Sequence, residues 1–176
     1  GRLKSGTRVL VVSDPRLGLV ERRFVLVVPE EPPPPEGRPL VLGFHGQGDK
    51  PERWGPRHDF RRIAHREQVV VVLPAGMVEA HDITWNAGAA GEGAENTCLD
   101  DLTGANCMGS CDALGLCGPC NWATCYSDKA FVEQLLLFLA SGLCMDSSRY
   151  FIVGESNGGM LVHHLLAQLP GVFRAA

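Results

Sequence analysis

The sequence of 176 residues lacks the features that mark several classes of protein. No apolar run approaches the roughly 20 residues that span a bilayer, and the longest candidate, residues 130–140, is interrupted by Glu133 and Gln134. There is no excess of basic residues, since the net charge is −4, so nothing suggests a nucleic-acid partner. No internal repeat is visible, which argues against a solenoid.

The remaining composition, 45% hydrophobic and 20% charged, is typical of a globular domain with a sizeable core. The two small basic groups, Arg22-Arg23 and Arg61-Arg62, are predicted to lie on solvated faces. The chain starts at Gly1 without a visible signal peptide and ends soon after its last predicted helix. We therefore expect it to be a fragment of a longer protein.

Cysteine is plentiful, and six of the seven cysteines fall within residues 98–125. Such clustering predicts an oxidising compartment, and hence a secreted protein, with an insert at about residues 95–126 that disulfides staple locally. The spacing does not choose a connectivity. Cys144 could pair with this cluster, pair with a segment outside the chain, or stay buried and free. The candidate disulfide cysteines are Cys98, Cys107, Cys111, Cys117, Cys120 and Cys125.

The cysteines have two other possible functions, thiol redox chemistry and zinc binding. Cys117-Gly-Pro-Cys120 matches a thiol-redox motif, but that chemistry requires a helix start in a βαβ context, and this motif lies in a glycine-rich insert. Cys107, Cys111, Cys117 and Cys120 could together hold a structural zinc ion. A secreted context favours disulfides over both, so we predict no metal site and no cofactor.

Strands alternate with helices along the rest of the chain, which predicts an α/β fold with a mostly parallel sheet covered on its faces. Residues 75–127 are predicted to be a long irregular stretch, and residues 30–39 a proline-rich connection. The helix at 128–141 is apolar nearly all round and is predicted to be buried, with Asp128 as its cap. Strands are predicted at 8–13, 22–29, 40–44, 68–73 and 150–153, and helices at 60–67, 128–141 and 159–169. The first two strands are predicted to form a β-hairpin.

Residues 150–160 form the most informative segment. A short β-branched strand runs into Gly154-Glu-Ser156-Asn-Gly158, and a helical pattern follows at once, which is the context of a nucleophile elbow. The two glycines have no Cβ to obstruct the close packing that such a turn requires. Ser156 is therefore the candidate nucleophile, and the amide of Asn157 is predicted to point toward a developing oxyanion.

A second glycine-punctuated loop, His45-Gly46-Gln47-Gly48, follows the strand at residues 40–44. The carboxyl ends of parallel strands meet at one edge of a sheet, so this loop and Ser156 are expected to lie together there. His45 is predicted to shape the loop through a hydrogen bond rather than to act in catalysis.

This order of elements resembles the first half of an α/β-hydrolase. Residues 144–160 are similar to the nucleophile region of secreted polyhydroxybutyrate depolymerases and feruloyl esterases, as are Trp85-Asn86-Ala87-Gly88 and Asp128 followed by residues 130–132. The resemblance covers about residues 22–176, apart from the cysteine-rich insert. It implies a single, incomplete α/β-hydrolase domain whose C-terminal half is absent from this chain.

The resemblance further implies ester hydrolysis in two steps, in which Ser156 forms an acyl-enzyme and water then releases the acid. The amides of Asn157 and Gln47 would hold the oxyanion, with Gly46 as the alternative to Gln47. Trp85 and Asn86 would line the substrate pocket or else pack beneath the long loop. The leading substrate is a feruloyl ester of cell-wall polysaccharide, and the alternative is a polyhydroxyalkanoate.

The chain departs from the family in one respect. The acid and histidine of the triad should follow the serine, but the 20 residues after Ser156 contain only His163 and His164 and no acidic residue. Both histidines lie on the helix that begins beside the serine, about 10 Å or more from it, so neither is assigned as the base. Both triad partners are expected beyond residue 176. A catalytically dead binding module and a thiol-redox protein are the alternative functions.

Overall fold

The computed structural model describes residues 3–79, 82–88, 108–115 and 123–176. Its strands pair into a five-stranded sheet, in the order β1-β2-β4-β3-β7, and a small β5-β6 hairpin. The strands are β1 (Gly6–Asp14), β2 (Gly18–Val27), β3 (Arg38–Phe44), β4 (Val70–Pro74), β5 (Met77–Glu79), β6 (Asp82–Thr84) and β7 (Met145–Gly154). The helices are α1 (Pro51–Arg57), α2 (Phe60–Glu67), α3 (Gly109–Asp112), α4 (Asp128–Gly142) and α5 (Asn157–Gln168).

The main sheet is mixed. β1 and β2 form the expected antiparallel hairpin, and β2 also pairs antiparallel with β4. β3 lies between β4 and β7 and is parallel to both. The carboxyl ends of β3, β4 and β7 therefore share one edge, and the loops that leave them lie side by side.

Helices cover both faces of the sheet, which explains the valine run of β4. Val70 and Val72 pack in the larger core cluster, with α4 and α5, whereas Val71 and Leu73 pack with Trp54, Phe60 and Ala64 on the other face. Successive side chains of a strand point to opposite faces, so a central strand with two covered faces is apolar throughout.

Two expectations about the helices need correction. The sequence predicts α4 to be buried all round, but Leu137 is 71% exposed, because only the Phe131, Leu135 and Leu139 face packs on the sheet. The sequence also gives no signal for α1, whose helical turns contain both Gly55 and Pro56. Helix α1 forms because Trp54 anchors it in the core, so tertiary packing overrides local propensity.

The stretch predicted to be irregular also contains ordered structure. The β5-β6 hairpin occupies part of it, and α3 docks on that hairpin through Ser110, which donates to Glu79 from its backbone amide and its hydroxyl at 2.6 Å each. A disulfide joins Cys111 to Cys125. Its sulfur atoms pack with Met108 in a small core cluster. The other four predicted disulfide cysteines (Cys98, Cys107, Cys117 and Cys120) lie outside the described residues.

The sequence predicts Arg22 on a solvated face, but this prediction is wrong, because its side chain is buried and only 1% exposed. Its guanidinium donates to Asp128 at 2.5 Å and lies 4.1 Å from the centre of the Phe131 ring. Asp128 also accepts from the amide of Asn86, while Ser127 caps α4 in its place. A buried arginine requires such a partner, because an unpaired charge in the core costs several kcal/mol.

The outer edge of β7 is partly paired at the end of the chain. Arg174 donates to the carbonyl of Tyr150 at 2.8 Å, and Ala175 accepts from the amide of Ile152 at 3.2 Å, in a parallel bridge. Cys144, just before β7, is a free and exposed thiol. None of the helices in the described part of the chain is long and apolar enough to cross a membrane.

Candidate active site

The turn between β7 and α5 has the geometry of a nucleophile elbow. Ser156 has φ 52° and ψ −121°, a conformation that non-glycine residues rarely adopt, and α5 begins at the next residue. The serine is exposed at the edge of the sheet, beside the positive end of the α5 dipole. A strained turn of this kind is typical of a serine that is held out toward a substrate.

The two glycines around the serine are required by close backbone contacts. A Cβ built on Gly154 would lie 2.4 Å from the carbonyl oxygen of Gly158, and one on Gly158 would lie 2.3 Å from that of Phe44. Both distances are far below a van der Waals contact, and the atoms that they involve are backbone atoms. The Gly-x-Ser-x-Gly spacing therefore serves both the turn itself and the packing of α5 on the end of β3.

The loop at residues 45–48, here called the His-Gly loop, lies next to the serine at the same edge of the sheet. A Cβ built on Gly46 would be 3.4 Å from the Cβ of Ser156, and the amide of Glu155 donates to the carbonyl of Phe44 at 3.1 Å. The structure thus brings together Gly46, Gln47, Ser156 and Asn157, which the sequence singles out from two segments more than a hundred residues apart.

Hydrogen bonds orient the two candidate oxyanion amides. The carbonyl of Gly46 accepts from His45 Nδ1 at 2.7 Å and from the amide of Asp49 at 3.1 Å. In a trans peptide the N–H points opposite to the C=O, so the amide of Gln47 points away from those donors. The carbonyl of Ser156 accepts from Met160 within α5, so the amide of Asn157 points out of the start of the helix. Within the described part of the chain, neither amide has a hydrogen-bond acceptor.

His45 holds this loop as a neutral imidazole. It is 0% exposed, and its Nε2 lies 3.0 Å from the amide nitrogen of Gly76. An amide only donates and a carbonyl only accepts, so Nε2 must be the acceptor and Nδ1 must carry the proton. Burial lowers the pKa of His45, although the hydrogen bond to Gly46 and the charge of Asp49 oppose that shift.

We expect replacement of this histidine, as His45→Gln, to weaken the pH dependence of stability below about pH 6.5. The folded-state pKa lies below the unfolded value, so on acidification the unfolded chain takes up the proton first and the free energy of unfolding falls. Above this window the imidazole is neutral in both states and contributes no pH dependence. Urea unfolding of the intact protein at about pH 7.5, 6.5 and 5.5 measures the effect.

The comparison isolates His45, because the other titrating groups are present in both proteins. Burial also lowers the pKa of His164, which contributes a slope of the same sign to the wild type and to the variant. Equal loss of stability on acidification in the two proteins would contradict a neutral, buried His45.

A charged rim borders the serine on the α1 side. Glu155 accepts from Trp54 Nε1 at 2.5 Å, and this hydrogen bond, together with Arg57 and His58 nearby, lowers its pKa. Burial alone would raise the pKa of Asp49, but hydrogen bonds from Arg53, the Lys50 amide and Arg57 lower it to about 2. The side chains of Arg57 and Glu155 are each 51% exposed, so this rim is hydrated.

Trp85 and Asn86 lie near the serine but beneath the surface. Trp85 is 0% exposed, and its indole packs against Phe44 and His45, with ring centroids 5.2 and 5.0 Å away. Asn86 is 9% exposed and donates from its side chain to the carbonyl of Tyr126. In the described structure, the side chains of these two residues pack beneath the loops around the serine and are not exposed to a pocket beside it.

The two histidines of α5 stand apart from the serine. His163 is exposed, and His164 is half-buried against Gly88, where a Cβ added on the glycine would lie 2.8 Å from Nδ1 of His164.

Ser156 Oγ has no hydrogen-bond partner among the residues that the structure describes. The same part of the chain contains no group of three or more His, Cys, Asp or Glu residues placed to hold a metal ion.

Sequence reasoning missed the residues that brace this site from the β5-β6 hairpin. Asp82 accepts from Gln47 Nε2 at 2.5 Å, and the carbonyl of Ile83 accepts from the amide of Gly48 at 2.8 Å. Thr84 donates its hydroxyl to the side chain of Asn157 at 2.9 Å. No spacing in the sequence indicates these contacts, because the hairpin has only short strands within a stretch of loop composition.

The solved structures that superimpose on this chain include esterases and S-formylglutathione hydrolases. An acetyl xylan esterase from Aspergillus awamori superimposes with a TM-score of 0.59 at 14% identity, over 97% of this chain and 50% of its own. An S-formylglutathione hydrolase from Agrobacterium tumefaciens gives 0.56 at 22% identity, over 98% and 57%. A ferulic acid esterase gives 0.55 at 15% identity, over 97% and 58%.

The chain therefore spans between 50% and 58% of the length of these three structures. No protein-family model and no curated protein matches the sequence. The structural likeness extends over almost the whole chain and agrees with the strand order and the turn geometry described above. The chain has the α/β-hydrolase fold, over part of the length of the esterases that it resembles.

Proposed function

We propose that the protein is a serine carboxylic ester hydrolase that acts through an acyl-enzyme. The observation that carries this proposal is the strained turn at Ser156, with the backbone amides of Gln47 and Asn157 oriented beside it. Ser156 Oγ would attack the ester carbonyl and the alcohol would leave, while the two amides, already in position, would donate hydrogen bonds to the developing oxyanion. The esterases among the similar structures support the same reaction class.

The general base and its carboxylate partner are proposed to come from sequence beyond residue 176. The order serine, acid, histidine is general in this fold, and His163 and His164 lie on the wrong part of α5. The Cys111–Cys125 disulfide supports a secreted protein, since such bonds persist in oxidising compartments.

For the substrate, we propose a feruloyl ester of cell-wall polysaccharide. The rim beside Ser156 is hydrated and charged, with Arg57 and Glu155 half-exposed. A water-soluble glycosyl ester suits such a rim better than an insoluble aliphatic polyester, which requires an apolar contact surface. The ferulic acid esterase and the acetyl xylan esterase among the similar structures support this choice.

The proposal is tested by incubating the intact protein with methyl ferulate and, separately, with a short polyhydroxyalkanoate. Release of ferulate is expected. Turnover of the polyester alone would overturn the substrate and keep the reaction class. Turnover of neither, together with no covalent labelling by a fluorophosphonate, would overturn the hydrolase and favour a binding module on this scaffold.

A further inference from the structure

We infer that the side chain of Asn157 is a positioning residue for the oxyanion site, separate from the role of its backbone amide. It joins the elbow to Thr84 and Trp85, and through Trp85 to His45, so that the two candidate oxyanion amides are held at a fixed separation. The inference rests on the ester hydrolysis proposed above.

The first link is a pair of hydrogen bonds to one buried oxygen. Asn157 is 3% exposed, and its Oδ1 accepts from the hydroxyl of Thr84 and from the amide of Trp85, each at 2.9 Å. Thr84 and Trp85 are both 0% exposed. Water therefore does not compete for these hydrogen bonds, which makes them effective in holding geometry.

The second link runs from Trp85 to the other loop. Its Nε1 donates to the carbonyl of His45 at 2.9 Å, and His45 in turn holds the carbonyl of Gly46. The amide of Gln47 belongs to the same peptide unit as that carbonyl. A series of buried hydrogen bonds thus connects Asn157, which provides one amide, to the Gly46–Gln47 peptide, which provides the other.

The free donor of Asn157 argues against a role in stability alone. Its Nδ2 is buried and has no partner within the described part of the chain. A buried donor without an acceptor costs free energy, so the asparagine is not the best choice for packing alone. Asparagine supplies an acceptor for two donors at this point, and an apolar residue of similar size does not.

Fixing the two amides before the substrate arrives favours the transition state over the ground state. Preorganised donors do not need to reorient as charge develops, so a loosened pair lowers kcat more than it raises KM. We therefore expect Asn157→Leu to lower kcat about 10- to 100-fold, less than the about 10²- to 10³-fold that follows from removing an oxyanion donor outright. KM for a soluble ester should change by less than about threefold.

Thr84 offers a matched pair of variants. Thr84→Val removes the hydroxyl donor and keeps the shape, whereas Thr84→Ser keeps the donor. We expect Thr84→Val to lower kcat about 3- to 10-fold and Thr84→Ser to stay within about twofold of the wild type. In the double variant, Thr84→Val should add little to Asn157→Leu, because the two residues act through one contact.

The decisive readout is the affinity of the intact protein for phenylboronic acid, whose adduct with the serine mimics the tetrahedral intermediate. It should fall in each variant by the same factor as kcat, which a purely structural role would not produce. If Asn157→Leu does not fold, as judged by circular dichroism, the Thr84 pair carries the test. Unchanged kcat and boronate affinity in Thr84→Val would overturn the inference alone. A wild type that hydrolyses no ester would overturn the proposed function and the inference together.

Discussion

Replacing the candidate nucleophile, as Ser156→Ala, is expected to lower kcat for a soluble ester by about 10⁵-fold or more, which corresponds to about 7 kcal/mol of lost transition-state stabilisation. The hydroxyl is the atom that bonds to the acyl group, so no neighbouring side chain can replace it. Fluorophosphonate labelling of the protein should disappear in the same variant. Initial rates and labelling, both measured on the intact protein, give the two results.

Ser147 provides the control for this variant. It lies exposed on the same strand, β7, and makes no hydrogen bond to another described residue through its side chain. Ser147→Ala should therefore retain wild-type rates. If Ser156→Ala kept more than about a tenth of the wild-type kcat, another residue would have to be the nucleophile, and the assignment of the elbow would be wrong.

The second large effect concerns the glycine two residues after the serine. We expect Gly158→Ala to destabilise the protein by about 3 kcal/mol or more, because its Cβ would lie 2.3 Å from the carbonyl oxygen of Phe44 and 2.5 Å from that of His45. The first is a backbone atom at the end of β3 and the second lies in the His-Gly loop, so neither can move without disturbing that loop. The variant should also lose activity, since the elbow and the loop would be forced apart. Urea unfolding and ester hydrolysis measure the two effects.

Gly159→Ala is the matched control, one position further along the same helix. Among the described residues, a Cβ there would meet the carbonyl oxygen of Gly154 at 3.4 Å and its carbonyl carbon at 3.7 Å. Alanine also favours the helical backbone over glycine by up to about 1 kcal/mol, so the stability should stay within about 1 kcal/mol of the wild type. Equal stabilities for the two variants would show that the close contact of α5 with the end of β3 is not required.

Local rules predicted most of the sheet and the elbow. The valine run of β4, the hairpin of β1 and β2, and the strand–turn–helix order around Ser156 each depend on residues close together in the chain. Periodicity and glycine spacing report directly on such features, because the backbone conformation of a strand or a tight turn is set within a few residues. The boundaries were less accurate, and β7 begins at Met145 rather than at residue 150.

The same rules failed where distant segments meet. Arg22 looks like a surface residue in the sequence, and only the arrival of Asp128, 106 residues later, makes its burial possible. Helix α1 contains Gly55 and Pro56 and forms because Trp54 fills a gap against the sheet. The free energy in both cases comes from contacts made after the chain has folded, which no local pattern records.

By itself, the sequence determined the α/β architecture and the identity of the exposed serine, because hydrophobic period and glycine spacing are local properties of the chain. Only the tertiary structure decided how the site is braced. The hydrogen bond from Trp85 to Asn157 spans 72 positions, and that from Gln47 to Asp82 spans 35. Such bonds depend on the relative placement of whole strands and loops, which the packing of the core determines. The polar side chains that meet there have no sequence pattern of their own, so the sequence does not indicate these bonds.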